Sequence, residues 1–310
     1  GVQTCALPIW MLNGVQQLSY NWSGSLVEGF STNVTIGNYV PRLAQYDTIT
    51  VWISNPNGVP NTTTDSIMTK VAYGCTQILG GDYIVGPTGQ FPTINDALEI
   101  LNLCGTSGNV NLKLQNGTYV QGVQLFDLNE ITGAYDVLTI TSLSGNAADV
   151  ILKNDSTQTM VIDLARSHNV VIKDLTIDAR EGTVGVRVTD TCYNIEVSNC
   201  TILLDTISSV ASASIYKDNN GSKIDKFRIL NNNLNGGYYG IYIYGPSTSN
   251  YNTNLSIVGN TIKNTYYAGI YMRYNQFTNI TANTMTTRPD NMGATYYGRV
   301  VIVLAVMFVN

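Results

Sequence analysis

The chain has 310 residues, enough for one to three domains. Charged residues make up only 12 % and the formal net charge is -5, which argues against nucleic acid or an anionic membrane surface as a partner. A single histidine, His168, argues against His-based catalysis and multi-His metal sites, while 20 tyrosines amid abundant Asn, Thr, Gly and Ser suit an exported β-rich protein.

Taken in chain order, the first residues are set aside. GVQTCALPI resembles the translation of a sequencing-adapter oligonucleotide, a contaminant of assembled metagenomic reads. Residues 1–10 are therefore expected to be non-native, Cys5 and Trp10 with them. A truncated signal peptide fits less well, because a basic start is missing and the apolar run is short. From residue 11 to 74, NWSGSL, STNVTIGNYV and DTITVWISNPNG are strand-like phrases split by turn residues, with Pro56 and Asn57-Gly58 a strong turn signal. Their spacing suggests an Ig-like sandwich, cut short of the roughly 100 residues of a full one. The phrases NGVQQLSYNWSGSL, STNVTIGNY and NPNG resemble the C-terminal half of Ig-like, CARDB-type or fibronectin-like modules of exported bacterial surface proteins. That resemblance implies a spacer or adhesion module without catalysis, with Trp22 and Trp52 as packing residues.

In PTINDALEILNLCG, Thr93 and Asp96 make a capping-box pattern, and Ile94, Ala97, Leu98 and Leu101 fall on one helical face. Such a helix can cover the apolar end of a stacked-strand domain. NVNLKLQNGTYVQGVQL, VLTITSL and DVILKN follow as its first strands. Cys75 and Cys104 flank the helix, where an exported protein allows a disulfide; two unpaired small residues are the alternative. Cys192 and Cys200 read as buried small apolar residues.

From Asn169 a phrase recurs: NVVIKDLTI, NIEVSNCTI, KFRILNNNL, NLSIVGNTI and TNITANTM. Its closing residues fall at 177, 202, 234, 262 and 285, so the spacings are 25, 32, 28 and 23, a solenoid period. Each copy alternates apolar and polar residues, as a strand does. A second phrase, anchored at Gly185, Ser214, Gly240, Gly269 and Gly298, keeps the same period. Coils of at least two strands, stacked about 4.8 Å apart, follow. The expected core column is Ile172, Val197, Ile229, Ile257 and Ile280. Asn232, Asn260 and Asn283 suit an inward Asn ladder at a coil corner. The order strand, turn, "PTINDAL" helix, strand, "NGTY", strand resembles the start of pectin-lyase-like β-helix proteins. This resemblance implies the fold and leaves the function open, because the fold hosts lyases, esterases, hydrolases, adhesins and inert stalks.

After Gly298 the pattern breaks into Arg299 and VVIVLAVMFV. Residues 299–310 are expected to be a frameshifted tail at a contig end; a buried last strand is the alternative, and the run is too short for a membrane span of about 20 residues.

The predicted class is therefore all-β: a right-handed parallel β-helix over 75–298 with a short capping helix, preceded by the partial Ig-like sandwich. For chemistry, Asp174, Asp178, Arg180 and Glu181 in KDLTIDAREG form the densest charged group. Facing outward, Asp174 and Asp178 suit Ca²⁺ and Arg180 suits the base of a β-elimination. The positions matching Asp174 in later coils are Asn199, Asn231 and Gly259, which favours an ordinary turn. In the second phrase, inward Ile241, Ile243, Ile270 and Met272 put Tyr242, Tyr244, Tyr271 and Arg273 outward. Arg187 and Tyr216 take similar slots, so Tyr216, Tyr242 and Tyr271 form one exposed column able to stack on sugars. Plain exposed strand tyrosines are the alternative. Two functions stay open. One is a non-catalytic, extracellular or cell-surface bacterial module, monomeric and without cofactor, that binds a polysaccharide or surface glycan. The other is a polysaccharide lyase or glycoside hydrolase, with Ca²⁺ a cofactor only in that case.

Overall fold

The computed structural model describes residues 2–26, 30–40, 46–54, 68–73, 78–126, 136–155, 157–206, 211–288 and 302–305. The chain divides into two compact units, Gly1–Thr76 and Gln77–Asn310.

The first unit is built on strand β1 (Val2–Leu12), followed by β2 (Val15–Gln16), β3 (Trp22–Leu26), β4 (Tyr46–Ser54) and β5 (Met68–Tyr73). Asn13 and Gly14 both have positive φ, 52° and 78°, the backbone of a type I′ hairpin between β1 and β2. The Asn13 side chain fixes the turn: its Nδ2 donates to Asp47 Oδ1 at 2.7 Å and its Oδ1 accepts from the Thr48 amide at 2.8 Å. The stretch expected to be non-native includes most of β1, which pairs antiparallel with β3 through Val2–Ala6 and with β4 through Leu7–Leu12, and Trp10 is buried. The described residues of this unit form one antiparallel sheet, with order β2-β1-β4-β5 and β3 beside β1; a second sheet facing it is not among them. The Asn57-Gly58 turn lies outside the described residues.

The second unit is a parallel β-solenoid of about six turns. It has three sheets, and each full coil contributes one strand to each. Sheet 1 stacks Ile78–Val85, Thr106–Leu114, Leu138–Ser142, His168–Lys173, Cys192–Ser198, Ile224–Leu230, Ser256–Val258 and Asn279–Thr281. Sheet 2 runs from Gly117–Val120 to Thr284–Thr287, and sheet 3 from Val123–Phe126 to Ile302–Ala305. The recurring NVVIKDLTI phrase is therefore two strands with a corner between them. The corner is an αL residue in each coil: Asp174 (φ 55°), Asn199 (52°), Asn231 (55°), Gly259 (72°) and Ala282 (57°). Asp, Asn and Gly recur there because they enter this region most easily.

The stacking register follows the repeats. Ile172, Val197, Ile229, Ile257 and Ile280 form one column of sheet 1, buried except for the half-buried Ile280. Ile177, Ile202, Leu234, Ile262 and Met285 form the matching column of sheet 2. Ile162, Val186, Ile215, Ile241 and Ile270 form that of sheet 3. Asn232, Asn260 and Asn283 make the inward ladder at the first corner, each Nδ2 reaching a backbone carbonyl of the preceding coil: Val197, Ile229 and Ile257. A second pair, Asn252 and Asn275, stacks at the start of sheet 1: Asn252 Oδ1 accepts from the Ile224 amide, its Nδ2 donates to Asn275 Oδ1, and Asn275 Nδ2 reaches the Ile243 carbonyl of the preceding coil.

Helix α1 (Ile94–Cys104) packs on the first coil. Its capping box is formed: the Asp96 amide donates to Thr93 Oγ1 at 3.1 Å and the Thr93 amide to Asp96 Oδ2 at 3.0 Å. Ile94, Ala97, Leu98 and Leu101 are buried on one face. Cys104 is disulfide-bonded. Cys75, paired with it in the sequence reading, lies outside the described residues. Cys192 and Cys200 are free and buried, and burial pushes their thiols up to about 11 and about 12. In the tail, Ile302–Ala305 pairs in parallel with Ala268–Arg273 in sheet 3.

Candidate functional site

The outward positions of sheet 3 form one column along the solenoid: Asp163, Arg187, Tyr216, Tyr242 and Tyr271, each registered on the next. Parallel stacking places identical slots one coil apart, so aromatic residues at these slots meet face to face. Tyr216 and Tyr242 have ring centroids 5.1 Å apart at 12°, and Tyr242 and Tyr271 are 5.0 Å apart at 5°. The sequence reading had these rings stacking on sugars. Their faces are occupied by one another, so the column turns ring edges outward. The hydroxyls of Tyr216, Tyr242 and Tyr271 take no hydrogen bond from the described residues.

Tyr244 and Arg273 join the same patch at the next outward slot. The Arg273 guanidinium lies 5.3 Å from the Tyr244 centroid and 4.7 Å from that of Tyr274, and donates to Tyr274 Oη at 2.8 Å. This is a cation–π clamp at the edge of the patch. Sequence reasoning missed Tyr238, Tyr239, Tyr266, Tyr267 and Tyr274. Tyr239 leans across both Tyr242 (4.9 Å) and Tyr271 (5.6 Å), and Tyr238 stacks on Tyr267 at 5.2 Å and 11°. The signal was the doubled tyrosine of two second phrases: Tyr238 lies at the corner and Tyr239 opens a sheet 3 strand, while Tyr266 and Tyr267 both lie at the corner before Ala268. Tyr267 remains 38 % exposed. Burial, then neighbouring phenols, pushes Tyr242 up to about 12 and also raises Tyr239. Tyr239 and Tyr242 therefore stay neutral and offer phenol groups that both donate and accept.

One coil before Tyr216 the column becomes charged. Arg187 donates from Nε to Asp163 Oδ1 at 2.8 Å and from Nη2 to Asp163 Oδ2 at 2.5 Å, and Asp163 is only 2 % exposed. The Asp163 carboxylate raises the Arg187 pKa and fixes its plane. Two clefts meet at Arg187. One, of about 250 Å³, is lined by Met160, Thr183, Val184, Ser212, Tyr216 and Tyr239 with Arg187. The other, of about 230 Å³, is lined by Gly122, Gln158, Thr159, Met160 and Asp163 with Arg187. Arg187 Nη1 makes no hydrogen bond among the described residues and is free to donate. Asp163 precedes the clear repeats, so the sequence did not connect it with Arg187.

The acidic candidates occupy other corners. Asp174 is the αL residue after sheet 1, where its Oδ1 accepts from Asn199 Nδ2 at 3.2 Å and its Oδ2 from Thr141 Oγ1 at 3.2 Å. Asp178 ends a strand of sheet 2 with its carboxyl 4 % exposed, held by Arg180 Nε at 2.8 Å and Nη2 at 2.7 Å. Arg180 depresses the Asp178 pKa, and Asp178 raises that of Arg180. Both shifts oppose proton abstraction by Arg180. Glu181 reaches Lys153 at 3.2 Å instead of joining a carboxylate pair. Among the described residues no three His, Cys, Asp or Glu side chains converge as a metal site requires, and no helix is long and apolar enough to cross a membrane.

The Asp178–Arg180 pair has a measurable pH signature. A carboxyl whose folded pKa is depressed stabilises the fold above its unfolded value and loses that contribution as pH falls through the folded value. Arg180→Ala is expected to cost about 1 kcal/mol at neutral pH. In denaturant titrations the gap to the parent should close as the pH falls below the unfolded carboxyl value of about 3.9. A gap independent of pH would mean that Arg180 acts only through packing.

No family model matches the chain, and no curated protein does.

Proposed function

We propose that this chain is a non-catalytic carbohydrate-binding β-solenoid of an exported or cell-surface bacterial protein. An extended glycan lies along sheet 3, crossing the coils from the Arg187 clefts to Arg273. The observation that carries this reading is the column of Tyr216, Tyr242 and Tyr271, whose hydroxyls have no partner among the described residues, continuous with the cleft at Arg187. Phenol hydroxyls repeating every coil, about 4.8 Å apart, suit a polymer that offers hydroxyls at regular intervals. The disulfide-bonded Cys104 supports an oxidising compartment. The Ig-like and pectin-lyase-like resemblances fit a modular surface protein. At the KDLTIDAREG turn, the geometry of Asp178 and Arg180 supports a structural ion pair.

The edge-on arrangement dictates the test. Tyr216→Phe, Tyr242→Phe and Tyr271→Phe together keep the rings and remove only the hydroxyls. Each lost hydrogen bond costs about 0.5–1.5 kcal/mol. Against a glycan array, the parent should bind long oligosaccharides and no monosaccharide, and the triple variant should bind at least about tenfold more weakly. Equal binding by the two proteins would remove the tyrosine edges from recognition. Parent binding to no glycan would leave a structural stalk, and release of unsaturated sugars with Ca²⁺ would make the protein a lyase.

A further inference from the structure

Lys217 ends the sheet 3 strand Ala213–Lys217, one residue after Tyr216, and it points inward. It pairs in register with Ile243, a core position, and its side chain is 0 % exposed. An ammonium group there loses its hydration, and burial lowers its pKa against the pull of Asp218. The amine folds back onto the following turn. Nζ donates to the Asp218 carbonyl and to Asn220 Oδ1 at 3.2 Å. The same Asn220 amide is held from two further sides. Its Oδ1 also accepts from the Ser222 amide at 3.3 Å, and its Nδ2 donates to Asp190 Oδ1 at 3.4 Å. Asp190 comes from the preceding coil and is paired with Arg166 at 3.1 Å.

We infer that Lys217 and Asn220 condense into an intramolecular amide, with Asp190 holding the departing Nδ2. The Lys217 nitrogen attacks Asn220 Cγ, forming the Nζ–Cγ bond. The Ser222 amide stands where it can stabilise the oxygen that gains charge in the tetrahedral intermediate. One proton leaves the attacking nitrogen, whose nearest carboxylate is Asp218 at 3.9 Å, and one is delivered to Nδ2, which already donates to Asp190. The Cγ–Nδ2 bond then breaks and ammonia leaves, so atoms and charge balance without any further reactant. Enforced proximity of a desolvated amine and a polarised amide supplies the driving geometry. The product replaces a buried amine by a neutral amide and closes the turn beneath the tyrosine column.

The test is the intact mass of the full chain, reduced and denatured, followed by peptide mapping. The expected mass is that of the sequence less one ammonia, with Lys217 unreactive to an amine-labelling reagent in denaturant. Lys217→Met and Asn220→Ala should each restore the full mass. Asp190→Ala should leave most of the chain uncondensed, and full condensation in that variant would remove Asp190 from the reaction. A parent chain at full mass with Lys217 freely labelled overturns the inference. So does loss of ammonia with Lys217 still reactive, which assigns a succinimide at Asn220-Gly221. Loss of one water with Lys217 blocked assigns the link to Asp218, and equally overturns it.

Discussion

Gly240→Val is expected to unfold the central coils. A Cβ at this position would lie 2.5 Å from the Gly269 carbonyl oxygen and 2.5 Å from Ile262 Cγ2. The first contact is backbone of the next coil, which the parallel ladder on both sides holds in place. The second is a core side chain of sheet 2, packed at the inner corner where two sheets meet. Neither can retreat without opening the stack. Overpacking of one or two methyl groups costs about 1–3 kcal/mol, and contact with fixed backbone puts valine at or above the upper end. Gly240→Ala carries the same Cβ and meets the same two contacts, so it too should lower the midpoint clearly, by less than valine with its two further methyl groups. The readout is the urea midpoint of the solenoid followed by far-UV signal. The contrast is Ser214, which holds the same slot one coil earlier and already carries a side chain, so Ser214→Gly should shift the midpoint far less. A Gly240→Val midpoint equal to the parent's would mean that the coils can separate there.

The slot explains why small residues were readable in the sequence. A parallel solenoid repeats every side chain's environment one coil further on, so buried columns leave a period that composition cannot hide. Ile172 to Ile280, Asn232 to Asn283 and Tyr216 to Tyr271 were all legible for that reason. What could not be read were features that break the period or join different sheets. The αL corner at Asp174, Asn199 and Asn231 shifts the inward phase by one residue, from Ile172 to Leu175, Val197 to Cys200 and Ile229 to Asn232, so a phrase taken as one alternating strand is two. The Asp163–Arg187 pair joins a coil with a clear repeat to one without. The stacking of Tyr216, Tyr242 and Tyr271 was implied by their shared slot, but the consequence was reversed: rings one coil apart must meet one another before they can meet a ligand. Lys217 stands at an inward slot where the next coil has Ile243 and the one after Met272, and only the polar turn folded over its amine accommodates it.

Asn260 is where the largest polar penalty is expected. Its Oδ1 accepts from the Asn232 amide at 2.9 Å and from Asn232 Nδ2 at 3.0 Å, while its Nδ2 donates to the Ile229 carbonyl and to Asn283 Oδ1, both at 2.9 Å. One fully buried side chain thus satisfies groups on both neighbouring coils. Asn260→Leu fills a similar volume but offers none of these bonds. Each buried partner left unpaired costs about 1–3 kcal/mol, so a total loss of about 3 kcal/mol or more is expected, read as a lowered urea midpoint. Asn260→Asp separates shape from hydrogen bonding. An ionised Asp can accept from Asn232 but cannot donate to Ile229 or Asn283, and burial disfavours its charge, so its folded pKa will be raised. The sign is then opposite to that of Asp178. The variant keeps its stability below the unfolded carboxyl value of about 3.9 and loses it as pH rises toward the raised folded value. Below that range the protonated carboxyl donates one bond in place of Nδ2, and Asn260→Asp should approach the parent while Asn260→Leu does not. If the two variants instead lose the same stability at every pH, the ladder acts through packing alone, and the inward asparagines fill space without binding one coil to the next.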